Sequence, residues 1–296
     1  MKQQDQTKSF FEKFAKEWAI SSKNTSIESV NVIKQRNDVL ENFASRYLKK
    51  GDLALDVGCG TGNLVITLIK LGYNAIGIDF AKDMINEAKS LAKREKVTEK
   101  NFITISFFDY SSDKKFKLIS ANGFIEYISY DEFLDFVKKS YNMLDNNGLL
   151  IFGSRNRLFN VFSFNDFTSQ EIKLNTIENL HKECIIFNKT NNLKNILNSD
   201  FRQELSENIQ KHNNTGINVD TRYQYTPFQI MEILKQNKFI ILDIIPIHIH
   251  LLSTGAKEIH PEIHSYLSNL IQEKDDLHLT LIPQSSSFMI VARKKF

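Results

Sequence analysis

Hydrophobic positions along the chain change period several times, and each change marks an element. Residues 9–18 (SFFEKFAKEW) set Phe10, Phe11, Phe14 and Trp18 on one helical face, and a second amphipathic pattern runs from Ile27 to Leu48, closed by Gly51. Short apolar runs follow at Leu53 to Val57, Asn74 to Ile78, Phe102 to Phe107, Lys117 to Ala121 and Leu149 to Gly153. Helical spacing fills the gaps, from Gly62 to Lys70, Asp83 to Lys96 and Asp131 to Leu144, the last stopped by Asn146, Asn147 and Gly148. Strands alternating with helices predict βαβ units and a parallel sheet. The alternation halts after Ser154 and resumes at Thr226-Pro227, an N-cap followed by an N1 proline that opens a helix to Asn237. An apolar run over 239–247 and a strand from Ser287 to Arg293 close the pattern.

The expected fold is therefore α/β, a Rossmann-like doubly wound sheet of about seven strands. Residues 1–50 supply N-terminal helices, 51–154 and 226–296 the core, and 155–225 an inserted helical cap. Composition supports the insertion: nine of the 11 glycines lie between Gly51 and Gly153, and all four prolines come after residue 226. A stretch of 155–225 with one glycine and no proline favours helix, and its length exceeds that of a plain connection.

Charge adds little. With 38 Lys and Arg against 35 Asp and Glu, a net charge of +3 announces no basic face for nucleic acid or membrane. Two cysteines, Cys59 and Cys184, make no disulfide framework and suit a reducing compartment. The polar start MKQQDQTKSF and the lack of an 18-residue apolar run point to a cytoplasmic protein without membrane insertion. Oligomeric state is not legible.

The densest chemistry lies in ALDVGCGTGN, residues 54–63, a buried strand running into a loop with Gly58, Gly60 and Gly62. Glycines there let a ligand approach backbone at the carboxyl end of the first strand. The second strand ends at Asp79, 17 residues after Gly62, where a carboxylate can accept hydrogen bonds from both hydroxyls of a ribose. A nucleoside-bearing cofactor is implied. Asn63 stands where a dinucleotide fingerprint wants Gly or Ala, and no Gly-Lys-Ser/Thr follows, so phosphate cradling is the weaker reading.

On these residues the sequence resembles the class I S-adenosylmethionine-dependent methyltransferases, over residues 30–153 and 226–296, and within them the ubiquinone-biosynthesis-like O-methyltransferases. The resemblance implies an antiparallel last strand and S-adenosylmethionine as cofactor. It makes Asp79 the ribose acid, with Phe80 beside it, and Met84 a wall of the adenine pocket. Asp109 is implied near the adenine amino group with Phe108 beside the ring. Asp56 and Asn122 fall at the cofactor's amino end, Cys59 stands with Gly58, Gly60 and Gly62 in the cofactor-binding loop, where its small side chain fits, and Arg36 pairs with the cofactor's carboxylate. Many small-molecule members carry Leu-Glu-His after the fourth strand; here the stretch is Phe124-Ile-Glu-Tyr127, which removes the usual histidine base. No proline precedes residue 227, so the Asn/Asp-Pro-Pro motif of base-amino methyltransferases is absent.

The expected function is methyl transfer to a small-molecule acceptor, a hydroxyl of a sugar, a saccharide-lipid or a quinone-like intermediate. A catalytically silent cofactor-binding or assembly partner and an RNA methyltransferase are the competing classes. Tyr127, His181 and His248 are the candidate bases by residue type. Arg155, Asn156 and Arg157, leaving the fifth strand, and Trp18, on the first helix, are the candidate acceptor contacts. His248 and His250 alternate on a strand and His260 and His264 follow at helical spacing, but no carboxylate pattern accompanies them and no metal is expected.

Overall fold

The computed structural model describes residues 3–21, 29–206, 211–212, 219, 222–252, 254–272 and 279–295. Its centre is a seven-stranded sheet in the order β3-β2-β1-β4-β5-β9-β8. The strands are β1 (Leu53–Val57), β2 (Asn74–Asp79), β3 (Phe102–Thr104), β4 (Phe116–Ala121), β5 (Leu144–Arg155), β8 (Phe239–Ile249) and β9 (Ser285–Lys294). The first five run parallel, and β9 is antiparallel to both β5 and β8. The order reverses direction between β1 and β4, and that switch point is where open α/β sheets bind ligands, outside the carboxyl ends of the strands.

Helices cover both faces. One face carries α3 (Val32–Tyr47), α4 (Asn63–Lys70) and α5 (Lys82–Arg94), whose Leu40, Leu64, Leu68, Ile85 and Leu91 pack on Leu118, Leu149 and Ile151. The other carries α6 (Tyr130–Met143), where Phe133 and Phe136 meet Ile119, Leu150 and Phe152. Strand residues alternate between these two cores, as a sheet buried on both sides requires. A Ser129/Glu132 capping box starts α6.

The N-terminal helical pattern is interrupted at Phe14, giving α1 (Gln3–Lys13) and α2 (Ala15–Ser21). The second pattern begins at Val32, capped by Asn31; its expected start at Ile27 lies outside the described residues. Strand β3 is shorter than its apolar run because residues 106–110 turn away from the sheet, Tyr110 N–H bonding the Ser106 carbonyl. Strand β5 is longer at both ends, because Leu144 pairs with Phe116 of β4 and β9 pairs with it as far as Arg155.

Between β5 and β8 lie α7 (Asn160–Ser163), α8 (Asp166–Lys173), α9 (Ile177–Lys189) and α10 (Leu193–Leu197). A two-residue pairing of β6 (Lys211–His212) with β7 (Arg222–Tyr223) precedes α11 (Pro227–Gln236), whose Thr226 cap and N1 proline are as expected. After β8 come α12 (Thr254–Ile259) and α13 (Pro261–Gln272).

Candidate functional site

A cavity of about 320 Å³ opens at the carboxyl ends of β1, β2 and β4. Its glycine-loop end is built by backbone. Gly62 caps α4 at φ +79, and a Cβ there would lie 2.6 Å from the Phe102 ring and 2.9 Å from Ala88, so only glycine lets β3 and α5 close beneath the loop. Gly60 donates its N–H to Asp79 Oδ2 at 3.0 Å, and Ala81 N–H reaches Asp79 Oδ1 at 2.9 Å. Neither Gly60 nor Gly62 lines the cavity; they shape the loop that Gly58 and Cys59 present to it. Gly77, a position the sequence reading passed over, leaves room for Cys59, whose Sγ would lie 2.8 Å from any Cβ there.

Two carboxyls are buried at this end. Burial pushes Asp79 up to about 6, against the pull of the Ala81 and Gly60 N–H groups. Burial likewise pushes Asp56 up to about 7, opposed by a 2.7 Å hydrogen bond donated by Ser120 Oγ. Apolar walls come from Phe80, Met84, Ile105 and Phe108. Asp109 does not reach the cavity: the 106–110 turn faces it to solvent, and Ser106 occupies the wall instead.

Opposite lies an arginine cluster. Arg36 of α3 is buried, threads past Gly123 and Gly153, and donates from Nη2 to Ser287 Oγ at 2.6 Å. A Cβ on Gly123 would stand 3.1 Å from its Nη1 and one on Gly153 3.2 Å from its Nε, so both glycines hold space for this guanidinium. Glu126 is buried 3.9 Å from Arg36 Nη1 and is hydrogen-bonded by Arg222. Arg222 and Arg36 together hold Glu126 below the ordinary carboxylate range despite burial. Arg155, at the end of β5, faces the same group, and burial lowers it to about 10. Arg36, Arg155 and Arg222 thus surround one carboxylate, and all line the cavity. Arg222, on β7, carried no signal in the sequence beyond its charge.

Helices α1 and α2 form one wall. Phe11 packs edge-on against Trp18 at 5.5 Å and against Tyr127 at 5.2 Å, and both Phe11 and Trp18 line the cavity. Gln4 Nε2 bonds Glu132 Oε1 at 2.5 Å, tying α1 to the start of α6.

Several expected contacts fall elsewhere. Arg157 is buried away from the cavity, its Nε and Nη2 donating to both oxygens of Glu171 at 2.9 and 2.5 Å. Asn156 is consumed by the Ile282 and Ser285 carbonyls. Both are structural because β5 hands directly into a buried turn, leaving only Arg155 at the rim. His181 sits exposed on α9 and does not line the cavity. Tyr127 does line the cavity, but burial and Glu126 push its phenol above its ordinary value, so it stays protonated and is no base at neutral pH. His248 lines the cavity with its pKa well below the ordinary value through burial and the neighbouring His250, which leaves it neutral.

Residues 54–148 match the family model described as a methyltransferase domain. Over those residues the chain carries a methyltransferase domain, and its fold is that of S-adenosylmethionine-dependent methyltransferases. It is 29% identical over 161 residues to a ubiquinone biosynthesis O-methyltransferase of Pelagibacter ubique (strain HTCC1062), covering 52% of this chain and 66% of that protein. It is 37% identical over 82 residues to a ribosomal protein L11 methyltransferase of Thermotoga neapolitana, 27% of this chain and 30% of the relative. The chain thus spans at most about two thirds of these relatives. In fold it is similar to magnesium protoporphyrin IX methyltransferase of Synechocystis PCC 6803 with bound SAH (TM-score 0.57, 13% identity, 99% and 100% of the two chains). An S-adenosylmethionine-dependent methyltransferase of Clostridium acetobutylicum ATCC 824 gives a TM-score of 0.54 at 14% identity, over 89% and 92%.

The residues lining the cavity fit S-adenosylmethionine. Asn122 Oδ1 and Arg36 Nε are buried polar atoms with no partner at the amino-acid end of the cavity, an acceptor for an ammonium and a donor for a carboxylate. Asp79 at the opposite side of the loop offers its remaining lone pairs to a ribose.

Proposed function

We propose that the chain transfers the methyl group of S-adenosylmethionine to a small, anionic acceptor carrying a nucleophilic hydroxyl. The observation that carries this reading is one cavity whose glycine-loop end meets a chamber walled by Arg155, Arg222, Glu126 and Tyr127. Three guanidiniums against Glu126 leave positive charge in excess; Arg36 is taken by the cofactor's carboxylate and Arg222 is paired with Glu126, so Arg155 remains to hold an acceptor carboxylate or phosphate. The wall of α1 and α2 favours a small molecule over a polymer. Acids of the sugar, saccharide-lipid or quinone-precursor kind meet this description. The ubiquinone biosynthesis relatives support the last of these.

The cofactor supplies a methyl group already activated by its sulfonium. The chain's work is to align an acceptor oxygen with that group, and such positioning accounts for about 7–11 kcal/mol of barrier. Tyr127, protonated, donates a hydrogen bond to the acceptor, and His248, neutral and in the same wall, is the group available to take its proton. We read 51–154 and 226–296 as the catalytic core preceded by N-terminal helices. Residues 155–225 are an insertion that offers Arg155, at its start, to the acceptor and holds Glu126 with Arg222, near its end.

The test is methyl transfer from labelled S-adenosylmethionine to paired hydroxyl acceptors, such as hydroxybenzoates and their neutral amides. The acids are expected to be used or to inhibit at least tenfold better, a preference lost in Arg155→Met. Equal behaviour of acids and amides, with cofactor binding intact, contradicts the anionic acceptor while leaving the methyltransferase reading in place.

A further inference from the structure

Beside the acceptor chamber, the end of β8 and the first turn of α13 bring three histidines together. His248 Nε2 and His264 Nε2 lie 3.2 Å apart, and one ring nitrogen from each of His248, His250 and His264 falls within 4.8 Å of the others. Ring centroids are separated by 4.2, 4.8 and 5.4 Å. Imidazoles sharing a tetrahedral ion at about 2.0–2.1 Å place their nitrogens about 3.3 Å apart. The observed pair already has that spacing.

The trio is anchored by more than its own contacts. His248 sits at φ +54, an uncommon backbone state for a non-glycine residue, held by its N–H bonding Gln35 Oε1 at 3.0 Å. Gln35 Nε2 in turn reaches Asn269 on α13 at 3.2 Å, and Gln272 Nε2 bonds the Pro246 carbonyl at 3.0 Å, so α3, α13 and β8 are locked in register. His250 is fixed by its N–H to the Gln284 carbonyl and by Phe159, whose ring lies 4.5 Å from its own. His264 is buried, and His250 Nε2 and His264 Nδ1 have no hydrogen-bond partner. Three imidazoles with one nitrogen each within 4.8 Å of the others are unexplained by the methyl-transfer site.

We infer that His248, His250 and His264 bind one divalent cation of the zinc class. All-imidazole donors select zinc, cobalt or nickel over magnesium or calcium, which take oxygen. Three protein ligands leave a fourth position for water or an acceptor oxygen, and His248 shares its ring between this site and the chamber wall. The charged groups facing the trio are Lys257 of α12 and Arg155 of β5, both cationic. They oppose a dication, so the site is weaker than a thiolate zinc site and open to chelators.

The inference does not rest on the acceptor proposed above but bears on it at His248, which takes the acceptor's proton only in the ion-free protein, and its test reads the ion itself. Untagged protein, stripped by chelator and titrated with Co²⁺ and then Zn²⁺, is expected to bind one ion per chain, with the intense visible absorption of four-coordinate cobalt that zinc abolishes. His250→Ala and His264→Ala are expected to weaken binding at least tenfold while the affinity for S-adenosylmethionine, measured on the same samples, stays within twofold and certifies the fold. Should either variant fail to bind the cofactor, His264→Asn and the wild-type cobalt spectrum decide. Stoichiometry below a tenth of an ion in the wild type, a weak six-coordinate cobalt spectrum, or undiminished binding in the variants overturns the site.

Discussion

Asp79 and Asp56 do different work with the same functional group. Asp79 ties the glycine loop to β2 through Gly60, and Asp56 is fixed by Ser120 beneath it. Both are raised by burial, to about 6 and about 7. In the proposed function a ribose and an ammonium select the ionised forms, so cofactor binding expels whatever protons these groups hold. The dissociation constant for S-adenosylmethionine is therefore expected to rise at least tenfold between pH 8 and pH 5.5; calorimetry at the two values checks it, and a flat profile contradicts it. A third buried carboxyl, Glu183 on α9, acts on stability instead. Its Oε1 accepts from Phe228 N–H at 3.1 Å, Oε2 has no partner, and burial raises it to about 7. A carboxyl raised above its unfolded value adds stability below about pH 4.5 that is lost as pH climbs through 7. Glu183→Gln, which keeps the acceptor oxygen, should thus be the more stable protein at pH 8 by about 2–3 kcal/mol and equal to wild type near pH 4. Denaturant melts at both values test the sign.

At the scale of elements, α1 and α2 are the wall most exposed to perturbation. Phe11 joins Trp18 to Tyr127, and Met84 and Phe80 pack below them. Truncation of a ring in such an aromatic contact costs about 1–3 kcal/mol. Phe11→Ala is expected to weaken cofactor binding about tenfold, chiefly through faster release seen in stopped-flow displacement, and to change the global melt little because α1 lies outside the sheet's two cores. An unchanged release rate would show that the helices do not close the site. The helical pattern was legible from aromatic spacing, β1, β2 and β4 from their continuous apolar runs, and the Thr226-Pro227 start from its cap, because each signal is local. What escaped is set by partners distant in sequence. The length of β5 depends on β9, the turn of residues 106–110 removes Asp109 from the cavity, and Arg157 reads as a rim cation until Glu171 is seen to hold both its nitrogens.

For the whole molecule, the sheet order makes one functional edge. The switch between β1 and β4 puts the loop, Asp79 and Asn122 together, and the antiparallel β9 returns Ser287 to Arg36 across 251 residues of sequence. That half of the site was readable because glycines and acids at strand ends have fixed places in this fold. The arginine chamber was not: Arg222, inside the insertion, meets Glu126 of the core from 96 residues away, and nothing local in either segment announces the pair. Among the described residues no helix is long and apolar enough to cross a membrane. The central claim is that this edge binds S-adenosylmethionine through Asp79. Calorimetric titration of the intact chain and its Asp79→Ala variant is its most direct test: one cofactor per chain is expected, bound about tenfold more weakly by the variant, a loss of about 1.4 kcal/mol. No binding to the folded wild type, or equal affinity in the two proteins, would contradict it.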